Sequence, residues 1–167
     1  HDGFASYDRF AAAVHQQCVA HILVRARELL ATATRGAVRF PRQVLGLFTE
    51  ALDLRNRYRA GSVPAEVLWA ARDVFDERLL DLAGRRRAVP AYRRLANHLW
   101  RHAESWFSFL TEPSIPATNW PAEQAIRPAV VNRKVWGGNR TAAGAWAQGV
   151  LLSVIETCRR QARSALD

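Results

Sequence analysis

Methionine is absent from this sequence, and Lys134 is its single lysine; every other cation is arginine. A chain that opens at His1 with no methionine anywhere is expected to be a fragment or processed piece of a longer product. Only two cysteines occur, Cys18 and Cys158, at no framework spacing. That excludes a disulfide-stapled scaffold and fits a reducing, cytoplasmic setting. Long apolar runs are missing too: none approaches the length of a membrane span, and no signal peptide opens the chain. Neither internal repeats nor low-complexity stretches are present.

What the chain does have is bulk and positive charge. Its 167 residues, 49% of them hydrophobic, suffice for one domain with a real core and exclude a disordered tail. A net charge of +9 points to a polyanionic partner, nucleic acid first. Arginine forks suit bidentate phosphate contacts. Codon bias in a GC-rich genome produces the same preference without any function, and both explanations stand.

Apolar periodicity predicts a mainly α chain. Val19 to Ala33 reads as a helix with Arg25 and Arg27 exposed. Residues 34–41 read as a linker around Gly36 and Pro41. A helix over Arg42 to Ala60 then carries the stripe Val44, Leu45, Phe48, Leu52 and Tyr58, with Arg55, Arg57 and Arg59 on its other face. Gly61 ends it. Ser62 and Pro64 open a helix that turns Leu68, Ala71, Phe75, Leu79 and Leu82 inward and closes at Gly84. Arg85, Arg86 and Arg87 form a loop, either simply solvated or in contact with phosphate. Past Pro90, a helix over Ala91 to Thr111 is expected to bury Leu95, Leu99, Trp100, Ala103, Phe107 and Leu110.

The most informative stretch is Pro113 to Ala145. Pro121 suits a first helical position and Asn119 a capping residue, so Glu123 falls in the first turn, against the positive end of the helix dipole. Arg127, Arg133, Lys134 and Arg140 follow, with a Gly137-Gly138 turn and then a helix from Thr141 to Ala165. That last helix is expected to bury Ala145, Ala147, Val150, Leu151, Val154, Ile155 and Cys158. Arg159, Arg160 and Arg163 near its carboxyl end suit the dipole. Trp136 and Trp146 read as packing residues rather than base-stacking platforms, although an exposed Trp136 would reopen base stacking. A first-turn acid is most simply a dipole device. An acid followed by a basic, glycine-containing tract also suits a metal held beside a phosphate backbone.

Several blocks in one order carry a resemblance. Pro116-Ala117-Thr118-Asn119, Ala122-Glu123-Gln124-Ala125-Ile126-Arg127-Pro128, Arg133-Lys134, Gly137-Gly138-Asn139-Arg140-Thr141, Gly144-Ala145 and Leu152–Thr157 resemble the end of the catalytic domain in transposases of the insertion-sequence 66 family. The opening Asp2-Gly3, with Tyr7 behind it, resembles that family's second acid motif. The resemblance implies an Asp-Asp-Glu metal triad on an RNase H-like fold, with Asp2 the second acid and Glu123 the last. Asp8 falls off the acid position and reads as a surface charge, while Tyr7 and Phe10 would pack a short helix.

By the same likeness, residues 1–39 belong to the catalytic core, 40–112 to an all-helical insertion, and 113–167 to the core helices carrying the third acid. The fold expected is thus mainly α, part of an α/β RNase H-like catalytic domain whose opening strands are absent. A strand and a Cys-x-x-His pair are expected near residues 14–21, matched by Cys18 and His21. With His98 and His102, which share a helical face, they make a zinc site conceivable; bracing a strand against a helix is the simpler role.

The chemistry implied is metal-dependent DNA cleavage and strand transfer at element ends. Two Mg²⁺ or Mn²⁺ ions about 4 Å apart can serve the attacking and leaving oxygens, and both prefer oxygen ligands. Asp2 and Glu123 would hold them. Arg127, Arg133, Lys134 and Arg140 would meet double-stranded DNA, of the element ends and the target. The triad's first acid, an aspartate on the family's first strand, has no match here, so the fragment alone is expected to be inactive. The setting implied is bacterial and nucleoid-associated, with a homo-oligomer on DNA. A non-enzymatic helical DNA-binding module is the alternative, though no helix-turn-helix or zinc-finger signature favours it. A helical interaction domain with solubilising arginines is another.

Overall fold

The computed structural model describes residues 9–34 and 37–165. The described residues form helices and loops, with no strand among them. In chain order come α1 (Val19–Ala31), α2 (Arg39–Arg59), α3 (Ala65–Gly84), α4 (Pro90–Arg101), a 3-10 turn (Ala103–Ser105), α5 (Ser108–Thr111), α6 (Trp120–Trp136) and α7 (Ala142–Arg160). They fall into two compact units, residues 1–119 and 120–167. No helix among the described residues is long and apolar enough to cross a membrane.

The first unit is built on an aromatic core. Phe48 of α2 stacks on Phe107 at 5.3 Å between ring centroids and meets Trp106 edge-on, also at 5.3 Å. Phe75 of α3 reaches Phe107 at 5.4 Å. Ile22, Val44, Leu68, Leu79, Leu95 and Leu99 close around these rings, all buried. Each aromatic pair of this kind adds about 0.5–1.5 kcal/mol beyond the area it buries.

α2 starts earlier than periodicity suggests. Pro41 is its third residue rather than a linker residue, at a place where the backbone N–H would have no partner inside the helix anyway. The shift buries Phe40. Gly61, at φ +71°, ends α2 in a conformation that a side chain would strain. α3 follows the expected pattern, with Leu68, Phe75, Leu79 and Leu82 buried and Ala71 only half-buried.

The single helix expected over Ala91 to Thr111 is three elements. The cause is an extended segment ninety residues away in sequence. In an unbroken helix the carbonyls of Ser105 and Trp106 would accept from residues 109 and 110. Here the Gln17 N–H takes Ser105 O at 2.8 Å, and Gln16 Nε2 takes Trp106 O at 2.9 Å. The Phe109 N–H donates to Gln16 Oε1 at 3.0 Å, and Ser108 Oγ donates to His15 O at 2.7 Å. Trp106 Nε1 donates back to Leu99 O at 3.0 Å, satisfying a carbonyl at the end of α4. Trp106 is therefore buried, and Trp100, expected inside, is about half exposed. The strand expected over this segment is extended chain that pairs with helix ends instead of a sheet.

In the second unit α6 and α7 are joined through Gly137 and Gly138, at φ +82° and +91°. Thr141 caps α7, its Oγ1 accepting from Gly144 N at 3.0 Å. Pro128 lies inside α6 and removes one helical bond, to the Gln124 carbonyl. The buried face expected for α7 is not buried within this unit. Val150, Leu151, Val154 and Ile155 are exposed, as are Ala145 and Ala147, and Cys158 is only half-buried. Spacing gathers most of these residues on one side of the helix but does not say whether a neighbour covers that side. Trp136 (56%) and Trp146 (73%) are likewise exposed, against the packing role expected for them.

Candidate metal and nucleic-acid site

Glu123 lies in the first turn of α6, one turn inside the helix start, as the Asn-Trp-Pro approach predicts. Its carboxylate is exposed and has no ion-pair or hydrogen-bond partner among the described residues. At 100° per residue, Glu123, Arg127 and Lys134 fall within about 40° of one another on the helix surface. Arg127 is one turn along, about 6 Å, and Lys134 about 16 Å along. A Glu-Arg pair at this spacing could close on itself. It does not, and both side chains stay open to solvent.

Arg133 points to the neighbouring face. Its stem lies against Gly138, where an added Cβ would stand 3.3 Å from Arg133 Cγ. Glycine there serves two ends, a positive φ and room for the arginine. Together with Ile126, Ala129, Val130, Asn139 and Gln148, they line a groove of about 240 Å³ within this unit. Asn139 Nδ2 donates to Gln148 Oε1 across its edge. Arg140 is exposed just before the α7 cap. All four expected phosphate ligands, Arg127, Arg133, Lys134 and Arg140, are thus exposed and without an acidic partner among the described residues.

The carboxyl end of α7 behaves differently. Arg159 and Arg160 both bond Glu156, at 2.8 Å from each Nε. Those hydrogen bonds hold the Glu156 carboxyl at about 2, well below its ordinary value. These cations neutralise a local acid, in keeping with an end-of-helix role. The Arg85–Arg87 loop is also largely occupied. Arg85 pairs with Asp81 at 2.5 Å, and Arg87 lies 4.3 Å over the Phe40 ring while donating to Leu82 O at 2.7 Å. Arg55, expected on a solvated face, is half-buried and lies 5.8 Å over Phe109.

Asp2, the other expected acid, lies outside the described residues, as do Tyr7 and Asp8. Phe10, expected to pack, is 63% exposed. The conceivable zinc set does not assemble. No group of three potential metal ligands occurs among the described residues. Cys18 is buried and its Sγ accepts the Asn119 N–H at 3.4 Å, while His21 is exposed. His98 and His102 do adjoin, at 4.9 Å between rings, but His102 Nδ1 is 3.2 Å from Gln17 Nε2. Burial, then Arg25, His102 and Arg101, push His98 down to about 4. It is a neutral packing residue against Trp106.

Gln16 and Gln17 are the residues that the sequence conceals. Nothing in local spacing marks two polar side chains as the buried clamp on the 3-10 turn and α5; only their lack of charge in an otherwise arginine-rich region is suggestive.

The model of the Transposase IS66 family matches residues 1–147, and the chain belongs to that family. The match takes in Asp2, Glu123, Arg127, Arg133, Lys134 and Arg140. No curated protein and no solved structure matches the chain.

Proposed function

We propose that this chain contributes to a transposase site that cleaves DNA and joins strands at the ends of an insertion element. The supporting observation is Glu123: an exposed first-turn carboxylate without a partner among the described residues, sharing a helix stripe with two free cations. A carboxylate that served only its own helix would gain by pairing with Arg127. Open oxygens beside unpaired cations suit a hard divalent ion and the phosphate it meets.

In this reading Glu123 and Asp2 each supply a carboxylate to magnesium or manganese. The bound ions would supply charge neutralisation at the phosphodiester and activation of the attacking oxygen. Arg127, Arg133, Lys134 and Arg140 contact phosphates of double-stranded DNA and fix its register. Glu123, Arg127, Arg133 and Lys134 all stand on α6, which limits the entropy lost on engagement. The triad's first acid has no match among these residues, so activity is proposed for a protein that supplies it, and the chain alone is proposed to be inactive. Residues 1–39 and 113–167 are proposed as portions of an RNase H-like core and 40–112 as a helical insertion. The assembly is proposed to be a homo-oligomer on nucleoid DNA.

The test is manganese-dependent cleavage of element-end DNA by the complete transposase, wild type against Glu123→Gln. Loss of cleavage with DNA binding equal or tighter supports the assignment, because removing an unmetallated carboxylate removes repulsion of phosphate. Unchanged cleavage would leave the non-enzymatic helical DNA-binding module as the better reading.

A further inference from the structure

Between Asp81 and Glu104 the sequence holds six arginines, two histidines and no carboxylate. Most of that interval is α4. The helix is sharply two-sided: Tyr92, Leu95, Ala96 and Leu99 are buried, while Arg93, Arg94, Asn97, Trp100 and Arg101 are exposed on the opposite face. Among the described helices of eight residues or more, α4 alone carries no acid.

Elsewhere in this unit several arginines are matched, although Arg27, Arg42, Arg57 and Arg86 are exposed without an ion pair among the described residues. Arg72 pairs with Asp76 at 3.1 Å, Arg78 with Glu50 at 2.7 Å and Arg85 with Asp81 at 2.5 Å. Arg55 and Arg87 lie over phenylalanine rings. Arg93, Arg94 and Arg101 have no acidic partner among the described residues. α1 adds to the field rather than relieving it, since Arg25 is close enough to oppose protonation of His98 alongside Arg101. Three unneutralised guanidinium groups on one rigid face cost self-repulsion that an anionic partner would remove.

We infer that the outer face of α4 is a second docking surface for the backbone of duplex DNA, carried on a different unit from the α6 cations. Arg94 and Arg101 stand seven residues apart, about 10.5 Å along the helix axis, with Arg93 beside them. An in-line pair with a third cation to one side on a convex helix suits an extended polymer of charge, which duplex DNA presents at about one charge per 1.7 Å of axis. A small anion would instead need donors that converge. The guanidinium forks can each take two phosphate oxygens. The choice of DNA as the polymer rests on the transposase reading above; the existence of the surface does not.

The experiment measures binding of the chain to a random-sequence duplex across a range of salt. Three proteins are compared: wild type, the triple variant Arg93→Gln, Arg94→Gln, Arg101→Gln, and the triple variant Arg127→Gln, Arg133→Gln, Lys134→Gln. Glutamine is close to arginine in helix propensity and these positions are exposed, so helical circular dichroism and urea midpoint should match wild type. The α4 variant should bind about tenfold or more weakly, and its slope of log affinity on log salt should fall by about 2 to 3. A slope and affinity unchanged by the α4 variant, with the α6 variant impaired, would overturn this inference and leave the proposed function standing. Absence of duplex binding in wild type would remove both. With an RNA hairpin titrated beside the DNA duplex, loss of binding by the α4 variant confined to the hairpin would overturn the assignment to DNA.

Discussion

The Arg87 guanidinium lies 4.3 Å from the centroid of the Phe40 ring, and its Nη2 donates to the Leu82 carbonyl at 2.7 Å. One side chain thereby ties the loop after α3 to the start of α2. Burial lowers its pKa, followed by the nearby Arg85, and the guanidinium stays charged throughout the ordinary range. Arg87→Ala should destabilise the protein by about 1–2 kcal/mol, while Arg86→Ala should change little. Urea midpoints of the two variants decide this. Equal midpoints would remove Arg87's structural role and return the whole loop to phosphate contact.

Gln16 should be costlier to lose. Its amide donates to Gln17 O at 2.7 Å and Trp106 O at 2.9 Å and accepts from Phe109 N at 3.0 Å, all buried. Gln16→Ala removes this side chain's hydrogen bonds to backbone groups of three residues, Gln17, Trp106 and Phe109, a cost of about 2–4 kcal/mol. Native-state hydrogen exchange should show the loss first at the Phe109 amide. An unchanged Phe109 exchange rate would mean that α5 is held by packing alone.

The first unit should also weaken in acid through His98. Its folded pKa of about 4 lies below the unfolded value near 6.5, because burial and the cations Arg25, His102 and Arg101 disfavour its charge. A base with a depressed folded pKa takes up its proton first in the unfolded state. Stability is therefore full above about 6.5 and falls as pH drops toward about 4. His98→Gln should flatten the difference in urea midpoint between pH 7 and pH 5. An equal pH dependence in variant and wild type would place the acid sensitivity elsewhere.

How much of this was legible in the sequence depended on the range of the forces involved. α1, α2 and α3 follow from apolar spacing and from Gly61 and Gly84, which are local signals. The division of the helix after Pro90 follows from Gln16 and Gln17, and no local pattern registers a clamp ninety residues distant. Val150, Leu151, Val154 and Ile155 do share the face that spacing assigns them. Periodicity says which face is apolar, not whether anything covers it, so their burial was expected wrongly. Trp100 was placed inside wrongly for the first reason, and Trp136 and Trp146 were misplaced for the second. Glu123 in a first turn was legible from Pro121 and Asn119. Its proposed role was legible only from the ordered blocks around it, since a first-turn acid is by itself commonplace.

Glu123 also makes a stability prediction that separates a ligand from a dipole device. If its purpose were to favour the α6 dipole, Glu123→Gln would cost about 0.3–1 kcal/mol of helix stability and leave chemistry intact. The proposed role predicts a small stability change and a large catalytic one. Thermal melts of the second unit's helices, read beside activity, show which dominates.

The most direct single measurement is strand cleavage by the complete transposase on its element-end DNA with manganese, wild type against Glu123→Gln, at matched DNA occupancy. The account predicts cleavage reduced by about a thousandfold or more, with DNA affinity equal or higher. Cleavage at the wild-type rate would contradict it, and Glu123 would then be no more than a helix-start charge.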